Sequence, residues 1–112
     1  MELDYVPANV SKDIETICDQ LRIELSVRKE ALLMCDRMSK NEIFSNQKTS
    51  EVAAGILSIA HEKGLKIGRV PQHLPDRMIA NVLGIDATKI VFTRRITNNL
   101  ISGAKKTSTR YF

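Results

Sequence analysis

The stretch "SEVAAGILSIAHEKGL", residues 50–65, is apolar on nearly every side of a helical projection, and this restricts the folds open to the chain. Val52, Ala53, Ile56, Leu57, Ile59 and Ala60 leave it little polar surface. A helix of that kind must be enclosed by other elements or by lipid. No apolar run approaches the roughly 20 residues that a bilayer-spanning helix needs. The start "MELDYVPANV" also has neither the basic nor the apolar region of a secretory signal. The expectation is therefore an intracellular, soluble domain built around this helix, with Ile56, Leu57, Ala60 and Cys35 among its buried residues. The small residues Ala53, Ala54 and Gly55 at its middle would let neighbouring helices come close to its axis. Gly64 is expected to end it by taking the left-handed conformation.

Around this helix the sequence supplies four more. "SKDIETICDQLRI" offers Ser11 as a cap, Asp13 and Glu15 for a positive first turn, and Ile14, Ile17, Cys18 and Leu21 at helical spacing, which predicts a helix over residues 12–22. Ser26 can cap a long second helix reaching about residue 43, with Ala31, Met34 or Leu33, Cys35 and Met38 as its apolar stripe. The polar "SNQKT" then ends it. "KIGRVPQHLP" reads as a loop, with Pro75 fitted to the first turn of a helix over residues 76–83. Gly84 makes a turn, Asp86 can cap, and a fifth helix runs over residues 87–102. The β-branched residues fall at helical rather than alternating positions, so the fold class is all-α. Residues 1–10 form an N-terminal arm, 11–102 the helical domain and 103–112 a basic tail expected to fray.

At 112 residues there is room for one domain with one core. The balance of 43% hydrophobic and 27% charged residues is that of a folded globule, and the absence of tryptophan favours aliphatic packing between helices. Cys18 and Cys35 are far apart with no CxxC, and His61 and His73 match no zinc spacing, so neither a metal nor any other cofactor is expected. Both cysteines read as reduced core residues. No catalytic residue is assigned. Asp13, Glu15 and Asp19 make a carboxylate series on the first helix, but no histidine or nucleophile stands beside them at a motif spacing, and the series reads as a solvated face.

Charge is unevenly distributed. Residues 1–60 hold seven basic and ten acidic side chains, net −3, whereas residues 61–112 hold ten basic and three acidic, net +7; together they make the +4 of the chain. A basic half is the electrostatic footprint of a nucleic-acid-facing surface, or else a solvated face that meets an acidic protein. The positive charge gathers around "IANVLGIDATKIVFTRRI", which reads as a short helix, a glycine turn and a second helix. On that second helix Ile90, Thr93, Ile96, Thr97 and Leu100 share one side, and Thr88, Val91, Arg95 and Asn98 line the other, flanked by Arg94. Thr, Arg and Asn side chains on an outer face suit contacts to phosphates and base edges, although helix–glycine–helix corners also occur in all-α proteins with no DNA to bind.

The order of the pieces carries more than any one of them. The run from "DYVPANVSKDIETICDQLRI" through "VRKEALLMCDRM" and "SEVAAGILSIAHEKGL" to "DRMIANVLGIDATKIVFTRRITNNL" resembles the cyclin-like repeat of transcription factor IIB and its archaeal and viral relatives, over about residues 4–100. "DYVP" ahead of the first helix and the basic last pair of helices look most like the second, carboxy-terminal repeat. The resemblance implies a five-helix cyclin-like domain with a terminal helix-turn-helix, belonging to a longer factor. It further implies transcription initiation at the nucleus, or at the site of transcription in an archaeal or virus-infected cell. The implied partners are double-stranded promoter DNA, the TATA-binding protein and the RNA polymerase machinery, with no membrane and no small-molecule substrate. The expected DNA-binding residues are Thr88, Lys89, Val91, Arg94, Arg95 and Asn98, with Lys66, Arg69, Lys105 and Lys106 as basic flanks. Val91 stands where better-studied members place an arginine that reads a base edge, so their sequence preference does not transfer. The rival expectation is a cyclin-type interaction module whose groove between the third and fifth helices takes a partner helix or kinase, with Phe92 at its centre.

Overall fold

The computed structural model describes residues 5–110, with side chains described as far as Ile101. Among these residues there is no strand; the elements are α1 (Val10–Leu21), α2 (Leu25–Met38), α3 (Thr49–Lys66), α4 (Asp76–Leu83) and α5 (Ala87–Arg110), with single 3₁₀ turns at Pro7–Asn9 and Glu42–Phe44. The enclosure demanded by the apolar third helix is met. α3 packs against each of the other four helices, and residues 51–61 are all buried. Ile56, Leu57, Ala60 and Cys35 lie in the core as expected. No described helix is long and apolar enough to cross a membrane.

The outer helices begin and end for reasons partly different from those the sequence suggests. α1 starts at Val10, one residue before the expected cap Ser11, because Val10 is fully buried and opens the buried stripe Val10, Ile14, Ile17, Cys18. It stops at Arg22, which takes a left-handed conformation (φ 52°) while the Ile23 N–H donates to the Cys18 carbonyl at 3.0 Å. A non-glycine residue there costs about 1 kcal/mol, offset by Ile23 packing on the core. α2 begins with Glu24 as its cap, the Glu24 carboxylate accepting from the Ser26 N–H at 3.1 Å, so Ser26 lies inside the helix. It ends at Met38 instead of near residue 43. Asn41 caps a 3₁₀ turn by accepting from the Ile43 N–H at 3.0 Å, and the turn drives Phe44 into the core at 0% exposure, its ring 6.3 Å from that of Tyr5. On α2 it is Met34, not Leu33, that faces inward.

Gly64 does not end α3. It is buried within the helix, where a Cβ would come within 3.0 Å of Val27 Cγ2, so the position is small to let α2 approach. The left-handed glycine is Gly68, at φ 78°, beyond the helix. α4 has the expected bounds, preceded by Pro75 and closed by Gly84 in the left-handed conformation. α5 continues to Arg110, past the expected end at Ser102; Ser102 and Gly103 carry no proline and so do not interrupt the backbone hydrogen bonds.

Burial leaves its mark on several ionisable groups. Cys18 and Cys35 are free and buried, and burial pushes the Cys18 thiol up to about 11, so it behaves as a small apolar side chain. His61 on α3 is buried, its Nδ1 has no hydrogen-bond partner, and burial together with His73 holds its pKa below the ordinary 6.5, with Glu62 opposing. The unfolded chain therefore takes up a proton on this imidazole at a higher pH than the folded chain does. The stability conferred by neutral His61 is complete above 6.5 and declines as pH falls through that value and on through the lowered one. Thermal melts between pH 7.5 and 5, on the order of that transition, should show a falling midpoint. The fall should be smaller in His61→Gln, and an equal fall in both chains would rule His61 out as its source.

Candidate nucleic-acid interface

Part of the basic half of the sequence lies on α4 and α5, which are joined by a short turn at residues 84–86: Arg77 on α4, and Lys89, Arg94 and Arg95 on α5. The turn forms because Gly84 accepts the left-handed conformation at φ 66° and the Ile85 N–H returns to the Ala80 carbonyl at 3.0 Å. Asp86 then starts α5 by accepting from the Thr88 N–H at 3.0 Å. That bond, with a second from the Thr88 hydroxyl, holds the Asp86 carboxyl below its usual range, so the cap is ionised at neutral pH.

α5 is divided lengthwise. Ile90, Thr93 and Thr97 are fully buried, and Ile96 and Leu100 are half-buried. The two threonines are satisfied inside: Thr93 donates to Gln47 Oε1 at 3.1 Å, and Thr97 donates to the Thr93 carbonyl at 3.0 Å. On the opposite side Thr88, Val91, Arg95 and Asn98 are exposed together, as the spacing predicts, while Lys89, also exposed, lies about a quarter-turn round the helix from Thr88, beside Phe92 and Ile96. The helix carries six basic residues and no acidic one.

Arg94 is placed differently from its neighbours. Its guanidinium, about one-fifth exposed, donates to Asp76 Oδ1 at 2.8 Å and to Ser58 Oγ at 2.8 Å. It thus ties α5 to the first residue of α4 and to the middle of α3. Spacing on α5 alone cannot show this, because the partners lie 18 and 36 residues away in sequence. The flanking cations are also separated from one another. Lys66 is exposed in the last turn of α3. Arg69 lines a shallow cleft with Leu25, Lys29 and Glu30 of α2, beside the start of that helix and not along the outer row of α5. Lys105 and Lys106 lie on the continuing backbone of α5, and their side chains fall outside the described ones.

Phe92, half-exposed, lines an open groove of about 570 Å³ with Ile96, Lys89, Glu51 and Ile43. Ile43 lies at the end of the span expected of α2; the 3₁₀ turn that sinks Phe44 brings it out beside Phe92 and Ile96 of α5. The carboxylates of α1 are used locally, Glu15 and Asp19 pairing with Arg28 of α2 at 3.5 and 3.0 Å. Among the described residues no three His, Cys, Asp or Glu side chains are grouped as a metal site.

Set against known proteins, the chain is matched by no family model, no curated protein and no solved structure.

Proposed function

We propose that this chain is a DNA-binding domain that acts in transcription initiation, in the manner of the second cyclin-like repeat of transcription factor IIB. α4 and α5 form its helix-turn-helix. Support comes above all from the division of α5, which is pinned inside by Ile90, Thr93 and Thr97, offers Thr88, Arg95 and Asn98 outside with Lys89 exposed at the edge of that row, and carries no carboxylate from Ala87 to Arg110. A helix of that make-up brings only one carboxylate near the phosphates, the Asp86 cap, which is already engaged by Thr88. The family resemblance adds promoter DNA, the TATA-binding protein and polymerase as partners, and nuclear or viral transcription as the setting. The groove at Phe92 and Ile43 favours a second reading, an interaction module that takes an apolar segment of a protein partner.

Binding of the full chain to a labelled duplex, followed by anisotropy across about 50–200 mM salt, tests the first reading. Lys89→Ala and Arg95→Ala should each weaken binding and flatten the log affinity against log salt slope by about one unit. Both side chains are exposed, so the fold should be unaffected. Charge reversal at Asp13 and Glu15 should matter little. If the Lys89→Ala, Arg95→Ala double variant keeps both affinity and slope, α5 is not the DNA-facing helix. Loss of association with a partner helix or kinase in Phe92→Ala would then favour the interaction module. Arg94 is left intact in this comparison because its loss would disturb the junction with Asp76 and Ser58.

A further inference from the structure

We infer that the seam between α2 and α3 is a docking groove for a protein partner, which enters it as an acidic amphipathic helix. Seven large apolar side chains are exposed among the described residues, and three of them, Leu25 at 60%, Leu33 at 52% and Ile67 at 58%, line two hollows that share Arg69 and Glu30 at this seam. Leu25, Lys29 and Leu33 stand four residues apart, so they follow one another up the side of α2 that faces away from the buried Val27, Ala31 and Cys35. A third hollow of about 580 Å³, lined by Met34, Met38, Ile59 and Leu100, adjoins the other two at Glu30. None of these residues belongs to the outer row of α5, so the inference does not depend on the DNA-binding reading.

An exposed apolar row does not name its occupant; the charge around it does. Lys29, Arg37, Lys63 and Arg69 line the three hollows against two carboxylates, and both carboxylates are engaged: Glu30 pairs with Lys63 at 2.6 Å, and Glu24 caps α2 through the Ser26 N–H. Lys29, Arg37 and Arg69 have no ion-pair partner among the described residues. The occupant must therefore bring apolar side chains to Leu25, Leu33 and Ile67 and carboxylates to the cations beside them, which fixes its sign as well as its polarity. An extended peptide would need a sheet edge to pair with, and the described residues hold no strand. A helix satisfies its own backbone. From Leu25 to Leu33 the row is about 12 Å long, the span of apolar anchors at i, i+4 and i+7 on one face of a docked helix.

The probe is a display library of helix-forming peptides of about the length of α2, randomised in sequence and selected on the full chain. Selected clones should be acidic, with apolar residues at i, i+4 and i+7, and a labelled clone should bind with an affinity that falls as salt rises. Leu33→Ser should weaken that binding about ten-fold, the effect of losing one leucine anchor. The Lys29→Glu, Arg69→Glu double variant should also weaken it, and should select basic clones in place of acidic ones. These side chains are exposed, so the variants should melt with the wild-type chain. Phe92→Ala and the Lys89→Ala, Arg95→Ala double variant should bind the clone as wild type does. Clones with no acidic bias, or clones lost in Phe92→Ala and kept in Leu33→Ser, would overturn the inference. So would a dimer in sedimentation that Leu33→Ser dissociates, or adsorption to phosphatidylserine vesicles that Leu33→Ser abolishes, since the seam would then belong to a second copy or to a lipid surface.

Discussion

An Ile56→Asp chain is expected to lose its cooperative unfolding transition. Ile56 is fully buried at the middle of α3, the helix that every other helix packs against. The carboxylate would meet apolar side chains where the wild-type chain places a branched aliphatic one. Ionised, it would be an unpaired buried charge; protonated, it would still lack a partner for its polar atoms. Either form costs at least several kcal/mol, comparable with the whole stability of a domain this size, about 5–15 kcal/mol. Circular dichroism should show a low, non-cooperative signal on heating. Ile56→Val removes one methylene and should stay folded, at a cost of about 0.5–1.5 kcal/mol. A soluble Ile56→Asp chain with a sharp transition near that of wild type would show that α3 is not the enclosed element.

Gly55→Ala should also destabilise, and here the sign is the informative part. In an exposed helix the change from glycine to alanine gains up to about 1 kcal/mol. At Gly55 the added Cβ would lie 2.6 Å from Thr93 Cγ2 and 2.9 Å from Thr93 Cβ, with the Arg94 backbone nitrogen at 3.3 Å. Thr93 cannot swing away, because it is buried and its hydroxyl is bonded to Gln47. α5 must therefore move off α3, and overpacking of this kind costs about 1–3 kcal/mol. Denaturant melts should place Gly55→Ala below wild type. Thr93→Ser removes the methyl and keeps the hydroxyl, so the two substitutions should be strongly coupled in a double-mutant cycle. Stabilisation by Gly55→Ala would mean that α3 and α5 are further apart than described.

These residues also mark how far the sequence could be read. The apolar wrap of α3 and the proline and glycine that bracket α4 are local signals with a single physical meaning, and the structure agrees with them. Gly64 and Gly68 show where a local signal fails. A glycine required for close packing and a glycine required for left-handed backbone are the same letter, and only the neighbour Val27 separates the two cases. The early end of α2 was hidden for a related reason: "SKNEIF" contains no helix breaker, and what turns the chain is the place available to Phe44 in the core. The outer row of α5 followed from periodicity. The bond from Arg94 to Asp76 and Ser58, and the groove shared by Phe92 and Ile43, depend on contacts across the fold that no spacing within one helix encodes.

Thr93 and Arg94 are consecutive in the chain, yet they are anchored on different parts of the molecule: Thr93 to Gln47, just ahead of α3, and Arg94 to Asp76 at the start of α4. A cylinder held at one point can still roll about its long axis; held at two points around its circumference it cannot. The inner face of α5 includes two threonines and is only modestly oily, so apolar packing by itself would define its angular setting loosely. The paired anchors supply the missing torsional stop. The side chains that decide which way α5 faces are thus not the ones it displays, and its outward aspect can be re-aimed from within.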